Sequence, residues 1–240
     1  MDLINRRIPC TVQLNDEKKV VIICHGFGSS RKSPTVLALE QELPHHGIGS
    51  CSFDFPGHGE NRASDLRIPN CLNDLGEVEA FVHAQQPKAE ICYFASSFGA
   101  YILLTYLATR KHFGQKAFLR SAAVSMPKLF LEEWMTPALQ EVIDKNGCLV
   151  LKDYPQEMCV SKAFLSDLEE TDVFELYHKE YARLFMIHGG EDVVASPQDA
   201  ERFAKQSGAQ FYKVEKGAHQ LMGVGELETV LSCATTFFKF

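Results

Sequence analysis

Short, uninterrupted apolar runs recur along this chain and set the strongest limit on its fold. Residues 20–24 are the clearest case, and residues 91–94 repeat the pattern. Runs of this length are typical of strands, and apolar side chains on consecutive residues indicate burial on both faces of a parallel sheet. Segments with helical spacing lie between such runs. The alternation predicts an α/β fold with a mostly parallel, doubly wound sheet.

The predicted elements follow this alternation along the chain. We expect strands at residues 8–14, 20–24, 48–55, 91–94, 118–125, 183–187 and 210–214. We expect helices at about residues 33–45, 70–86, 101–107, 197–206 and 226–238, with Asn70 as the N-cap of the second helix.

One long segment departs from the pattern. Residues 128–181 have a mainly helical sequence pattern and are rich in charged residues. They contain no predicted buried strand apart from a possible short one at 148–151. We therefore predict a core made of residues 1–127 and 182–240. We expect residues 128–181 to form a helical cap insertion that folds over the sheet.

Composition limits the classes of partner. The chain has 240 residues, 45% of them hydrophobic, so it is long enough for one domain with a substantial core. A net charge of −7 argues against a nucleic-acid-binding surface. Residues 1–7 lack the apolar stretch of a signal peptide, and no apolar run approaches the ~18 residues of a membrane span. We expect a cytoplasmic protein without a membrane span.

The cysteines are scattered and give no paired motif. There are eight, and several lie inside apolar, strand-like runs. Free buried thiols in a reducing compartment are the expected reading. No cysteine or histidine spacing suggests a metal site.

A sharp turn after the run at residues 91–94 carries the first candidate for chemistry. Small residues, Ala95 and Gly99, flank Ser97 two positions away on each side, whereas Ser96 has phenylalanines at those positions. A strand that turns abruptly into a helix leaves no room for large side chains there. The pattern therefore favours Ser97 over Ser96 as an exposed, nucleophilic serine.

Candidate partners for this serine follow later strands. Serine nucleophiles need a base that takes the hydroxyl proton and an acid that orients the base. Asp192 follows the strand predicted at 183–187, and His219 follows the strand predicted at 210–214. Because the carboxyl ends of parallel strands meet at one edge of the sheet, we expect Ser97, Asp192 and His219 to converge there.

Other polar residues near strand ends compete for these roles. Glu191 is an alternative acid beside Asp192. His25 and His58 precede the serine, and we expect them to hold loops near the site. His188 is expected to bond to the backbone, and Asp54 to stabilise a turn.

Four segments resemble motifs of serine hydrolases in the α/β-hydrolase superfamily. Residues 188–194 resemble the loop of the catalytic acid, and residues 217–219 resemble the histidine loop. Residues 25–28 resemble the oxyanion loop, and residues 54–59 resemble the D-x-x-G-H-G segment. The serine turn departs from the family pattern at Ala95, where glycine is usual. This resemblance covers nearly the whole chain and implies the α/β-hydrolase fold.

The resemblance also implies a mechanism. Ser97, Asp192 and His219 would form the catalytic triad, and the backbone N–H groups of Phe27 and Phe98 would form the oxyanion hole. Such enzymes cleave carboxylic esters through an acyl-enzyme on the serine, here Ser97. They need no cofactor and no metal, because the triad supplies its own base.

The expected substrate is a small-molecule ester. In length and layout the chain resembles small bacterial esterases of the cinnamoyl (feruloyl) type, and Trp134 in the cap insertion is the leading candidate for substrate contact. Monoacylglycerol-lipase-like and serine-aminopeptidase-like (S33) hydrolases share the same core motifs and remain alternatives. So do a ligand-binding homologue with little turnover and an acyltransferase, because the fold alone does not choose among them.

Overall fold

A twisted eight-stranded sheet forms the centre of the computed structural model, which describes residues 2–155 and 157–240. Its strands, in chain order, are β1 (Asp2–Ile4), β2 (Ile8–Gln13), β3 (Lys19–Cys24), β4 (Ile48–Phe53), β5 (Glu90–Ser96), β6 (Lys116–Arg120), β9 (Arg183–Gly189) and β10 (Gln210–Val214). A separate antiparallel hairpin contains β7 (Cys148–Leu151) and β8 (Met158–Ser161).

The sheet has the order β1-β2-β4-β3-β5-β6-β9-β10. Six neighbouring strands, β4, β3, β5, β6, β9 and β10, run parallel to one another. At one edge of the sheet, β2 pairs antiparallel with both β4 and β1. Because β3 and β5 are parallel neighbours in the middle of the sheet, their carboxyl ends lie side by side. The doubly wound, mostly parallel sheet predicted from the sequence is confirmed.

Helices cover both faces of the sheet. They are α1 (Pro34–Glu42), α2 (Ile68–Gln85), α3 (Phe98–Thr109), α4 (Pro137–Asn146), α5 (Lys162–Glu169), α6 (Val173–Leu176), α7 (Pro197–Ser207) and α8 (Glu226–Lys239). In the part of the chain that the structure describes, every helix is too short or too polar to span a lipid bilayer.

The consecutive apolar residues of β3 explain the two-sided burial. Val20 and Ile22 join the core cluster that contains α2, α3 and α7, whereas Val21 and Ile23 join the cluster that contains α1 and α8. Neighbouring side chains of a strand point to opposite faces, so a strand covered on both sides must be apolar at every position.

Several predicted boundaries shift in the structure. Strand β6 ends at Arg120 instead of reaching residue 125, because Ser121 adopts a left-handed conformation with φ of 48°. Helix α1 ends at Glu42, and Leu43–His46 continue as a 3₁₀ helix that contains Pro44. The edge strand β1 has no counterpart in the prediction.

The predicted cap of α2 is wrong. Asn70 lies inside the helix, and its side chain donates a hydrogen bond to the carbonyl of Asp65. The helix begins at Ile68, whose N–H donates to the carboxylate of Asp167 at 3.0 Å. Asp167 also pairs with Arg67 through two hydrogen bonds of 2.6 Å. A carboxylate distant in sequence therefore caps the helix, which local sequence cannot reveal.

Residues 128–181, the predicted cap insertion, lie between β6 and β9. They begin with a π-helix (Lys128–Trp134) and continue through α4, the β7–β8 hairpin, α5 and α6. Helix α5 packs against α2, and α6 packs against α3. The second half of the insertion thus packs against two helices of the core.

Candidate active site

Ser97 occupies a sharp turn between β5 and α3. Its backbone has φ of 50° and ψ of −115°, a strained conformation for a residue with a side chain. A Cβ at Gly99 would lie 2.7 Å from the carbonyl oxygen of Cys24 and closer still to that of His25. The helix therefore passes directly over the end of β3, which requires glycine at this position. The turn leaves Ser97 partly exposed, while Ser96 is buried.

Three side chains predicted from the sequence meet above this turn. Nε2 of His219 lies 3.0 Å from Oγ of Ser97, and Nδ1 of His219 lies 2.7 Å from Oδ2 of Asp192. With Nδ1 protonated toward the carboxylate, Nε2 is free to accept the serine proton. This arrangement can activate the hydroxyl as a nucleophile.

Asp192 is held in place by several donors. Its Oδ1 accepts the backbone N–H groups of Val194 and Ala195 at 2.8 and 2.9 Å. Burial raises the pKa of Asp192, but hydrogen bonds from His188 and His219 outweigh that effect and hold its pKa well below the usual range. The side chain is therefore an ionised acceptor that fixes the orientation of the His219 ring.

The neighbouring Glu191 does not take part in this arrangement. Its side chain is exposed, and no hydrogen bond joins it to His219 in the described part of the chain. His188 does bond to the backbone as predicted, since Nε2 lies 3.0 Å from the carbonyl oxygen of Ala195. The same atom lies 3.1 Å from Oδ2 of Asp192, a contact that the sequence does not reveal.

Two backbone N–H groups beside Ser97 are free. Within the described residues, no hydrogen bond engages the N–H of Phe27 or that of Phe98. Phe98 is the first residue of α3, where an N–H has no acceptor inside the helix. Gly26 brings the loop of Phe27 close, because a Cβ at Gly26 would lie only 3.4 Å from Cβ of Ser97. The two donors can serve a developing oxyanion.

The two histidines that precede the serine are buried supports. Nδ1 of His25 contacts the carbonyl of Gly26 at 2.8 Å, and its Nε2 accepts the N–H of Phe55. Burial lowers the pKa of His25 to about 4. His58 contacts the carbonyl of Pro56 through Nδ1, and burial, reinforced by His25, lowers its pKa to about 3. Both rings are therefore neutral at pH 7, and neither forms a hydrogen bond with Ser97.

Asp54 anchors the loop after β4. Its carboxylate is fully buried and accepts the N–H groups of Arg31 and Glu60 at 2.7 and 2.9 Å. It also pairs with the guanidinium of Arg31, which in turn binds Glu60. These bonds join the loop after β3 to the loop after β4, in keeping with the turn-stabilising role predicted for Asp54.

A cavity of about 670 Å³ opens beside Ser97 and His219. Its apolar wall includes Phe27 and three aromatic residues from the predicted cap insertion, namely Phe130, Trp134 and Tyr154. The ring centroids of Phe130 and Trp134 are 4.8 Å apart, and those of Phe27 and Tyr154 are 5.4 Å apart. Trp134, which the sequence analysis proposes as a substrate contact, is half-buried in the cavity wall.

A family model described as serine aminopeptidase, S33, an α/β-hydrolase family, matches residues 15–167, which is more than half of the chain. The chain belongs to the S33 family. No curated protein matches this S33 hydrolase in sequence.

Solved structures with the same fold include several hydrolases. A putative hydrolase from Agrobacterium vitis S4 has a TM-score of 0.81 at 16% identity, with 95% of this chain and 91% of that chain covered. Est1E from Butyrivibrio proteoclasticus with bound ferulic acid has a TM-score of 0.80 at 15% identity, with coverage of 96% and 93%. Mouse alpha/beta hydrolase domain-containing protein 10 has a TM-score of 0.74 at 14% identity, with coverage of 96% and 93%. These likenesses confirm the α/β-hydrolase fold.

The sequence motifs do not reveal the two cations that line the cavity of this S33 hydrolase, Lys32 and Arg120. Arg120 ends β6 and lines the cavity beside Ser97 and His219. A lone arginine at the end of a strand carries no motif, so its only signal was a cation next to an apolar run. No group of His, Cys, Asp or Glu in the described residues is arranged to hold a metal ion.

Proposed function

We propose that this S33-family hydrolase is a serine carboxylesterase that acts on small-molecule esters. The observation that carries the proposal is the chain of contacts from Ser97 to His219 to Asp192, with distances of 3.0 and 2.7 Å, beside two unengaged backbone N–H groups. In this proposal Ser97 is the nucleophile, His219 the general base and Asp192 the orienting acid.

The reaction follows from the geometry. Oγ of Ser97 attacks the ester carbonyl while Nε2 of His219 takes its proton, and the oxyanion is stabilised by the N–H groups of Phe27 and Phe98. The imidazolium then protonates the leaving alkoxide, which departs as the alcohol and leaves an acyl group on Ser97. Water, deprotonated by His219, attacks the acyl group and releases the carboxylic acid.

The lining of the cavity favours esters over peptides with a free amino terminus. An aminopeptidase must bind the substrate's ammonium group, for which a carboxylate in the pocket is the natural partner. In the described part of the chain, no Asp or Glu lines the cavity beside Ser97. The S33 family name therefore does not by itself transfer an aminopeptidase activity to this chain.

The aromatic wall supports an aryl ester of the cinnamoyl type as substrate. Phe130, Trp134 and Tyr154 also border a second cavity of about 620 Å³, whose other lining residues are aliphatic except for Met135 and the acidic Glu133 and Asp153. Planar rings pack well against such walls. Est1E, which resembles this chain in fold, was solved with bound ferulic acid. Monoacylglycerols are the competing substrates, because an aliphatic chain also fits an apolar cavity.

We also propose that residues 128–181 act as the cap over the site. They supply Phe130, Trp134 and Tyr154 to the cavity wall, and the ring of Tyr154 packs over the oxyanion loop. The catalytic set comes from residues 1–127 and 182–240, so the cap contributes to specificity and the core to chemistry.

A reducing, cytoplasmic location completes the proposal. All eight cysteines are free, and burial raises the pKa of the five buried thiols. Free, inert thiols are typical of proteins that are kept reduced.

A hydrolysis panel tests the function. We expect the wild-type protein to cleave short acyl p-nitrophenyl esters and methyl ferulate faster than monoacylglycerols or aminoacyl amides. The Ser97→Ala variant should fold normally and lose hydrolysis of every ester. Faster cleavage of aminoacyl amides would identify an aminopeptidase, and tight ligand binding without turnover would identify a binding protein.

A further inference from the structure

Arg120 places a positive charge beside the catalytic set. Its backbone carbonyl accepts the N–H of Ser97 at 3.0 Å, and its side chain lines the same cavity as Ser97 and His219. The guanidinium therefore lies within reach of a substrate that is bound to the serine.

Every hydrogen-bond partner of this guanidinium is neutral. Nε donates to the hydroxyl of Ser96 at 3.1 Å, and Nη1 donates to the hydroxyl of Thr35 at 3.2 Å and to the carbonyl of Gln220. Nη2 has no hydrogen bond within the described residues and is not completely buried. No carboxylate of the described residues forms an ion pair with Arg120. The two N–H groups of Nη2 are thus left without a protein partner among the described residues.

The rest of the cavity lining also favours negatively charged ligands. Its lining contains a second cation, Lys32, and no acidic residue among those described, although the chain as a whole has a net charge of −7. Lys32 differs from Arg120, because its side chain is largely exposed and pairs with Glu60 at 2.6 Å. Of the two cations, Arg120 is therefore the one that has no counter-ion among the described residues.

The uncompensated charge has an energetic cost in the free protein. Burial lowers the pKa of Arg120 to about 10, although the negative charge of Asp192 acts in the opposite direction. Asp192 cannot compensate fully, since hydrogen bonds from His188, His219 and backbone N–H groups already engage its oxygens. A carboxylate that enters the cavity would displace water from Arg120 and accept charge-assisted hydrogen bonds from its planar guanidinium.

We propose that Arg120 binds a carboxylate of the substrate, so that the preferred esters carry an ionised carboxylate in addition to the ester group. The inference rests on the proposed esterase function and narrows its substrate class. The free guanidinium nitrogen and the acid-free cavity lining carry it. Bound in this way, the substrate would span from the oxyanion donors near Ser97 to the cation at the end of β6.

Arg120 also positions neighbouring groups, and the test must separate the two roles. Its bond to the carbonyl of Gln220 lies next to His219, so we expect that replacing Arg120 slows the cleavage of any ester by displacing the base. Such an effect falls equally on charged and neutral substrates. Carboxylate recognition instead changes the ratio between the two.

The experiment uses two matched pairs of esters. One pair is mono-4-nitrophenyl adipate and its terminal amide, which place the charge on the acyl side. The other is 4-acetoxybenzoate and 4-acetoxybenzamide, which place it on the alcohol side. Values of kcat/KM are measured for the wild type, Arg120→Met, Arg120→Lys and the control Lys32→Met. Calorimetry measures binding of unreactive 4-acetamidobenzoate and of its carboxamide to the same proteins.

In at least one pair, the wild type should prefer the carboxylate ester, and Arg120→Met should lower that preference by about 10- to 100-fold, the usual value of a hydrogen bond to a charged group. Arg120→Lys should retain part of the preference, and Lys32→Met should change it by less than about threefold.

Two results would overturn the inference: a wild type with no preference in either pair, or an equal loss on both members of each pair in Arg120→Met. If no ester is cleaved at all, the esterase proposal fails, and calorimetry still decides the role of Arg120. Should Arg120→Met not fold, the wild-type ratio and Arg120→Lys carry the same test.

Discussion

At the scale of single residues, the identity of the acid rests on two neighbours with opposite surroundings. Asp192 is buried and lies 2.7 Å from the ring of His219, whereas Glu191 is exposed. The ionised Asp192 also holds His219 in the tautomer that leaves Nε2 free for Ser97. The roles of the two carboxyl groups should therefore separate cleanly in variants.

We expect Asp192→Asn to lower kcat/KM for a short p-nitrophenyl ester by roughly 10³- to 10⁴-fold, because the amide no longer favours the required tautomer. Glu191→Gln should change it by less than about threefold, as expected for an exposed position. Steady-state kinetics on both purified variants checks the ranking, and the reverse order would move the acid to Glu191.

The meeting of Ser97, Asp192 and His219 could be predicted from the sequence, because each residue follows its own strand and parallel strands end at one edge. The contact between His188 and Asp192 could not, since it depends on how the loop after β9 turns back on itself. Arg120 was missed for a related reason. No carboxylate of the described residues forms an ion pair with it, and only three-dimensional packing reveals this.

At the scale of elements, the junction between β5 and α3 is the most constrained part of the fold. Ala95 lies in the middle of the sheet, paired with Cys24 on one side and with Leu119 on the other. Gly99 faces the carbonyl groups at the end of β3, where no side chain fits. The close approach therefore falls on the helix side of Ser97.

Gly99→Val should destabilise the fold by about 3 kcal/mol or more, because the new side chain collides with backbone that cannot move away. Ala95→Gly should cost only about 1 kcal/mol, mainly through backbone entropy. Urea unfolding of both variants measures the difference. Equal tolerance of the two changes would mean that the junction is not as tight as described.

The element order was predictable because buried parallel strands leave an unmistakable apolar run. Element ends were less so. Helix α2 begins two residues before the predicted cap because Asp167, from the far side of the cap insertion, satisfies the N–H of Ile68. Strand β6 stops early because Ser121 turns into a left-handed conformation, which an apolar pattern does not signal.

At the scale of the whole molecule, two buried histidines link stability to pH. Burial lowers the pKa of His25 to about 4 and that of His58 to about 3, below the ordinary value in an unfolded chain. The unfolded state therefore binds more protons than the folded state as pH falls below about 6.5. Stability should be highest above this pH and should decline on acidification toward pH 4.

The free energy of unfolding should fall by about 4 kcal/mol between pH 7 and pH 5, roughly half from each histidine. His58→Phe should remove about half of that dependence, since phenylalanine keeps a ring beside Phe98 but binds no proton. Urea unfolding at a series of pH values tests this. A pH dependence that is unchanged in His58→Phe would contradict the assignment.

The central claim is that Ser97 is the activated nucleophile, and covalent labelling tests it most directly. In the expected reaction with a fluorophosphonate, Oγ of Ser97 displaces fluoride at phosphorus while His219 takes the proton. Intact mass and peptide mapping should place one label on Ser97 in the wild type and in Ser96→Ala, and none in Ser97→Ala. A label that persists in Ser97→Ala, or that maps to another residue in the wild type, would contradict the account.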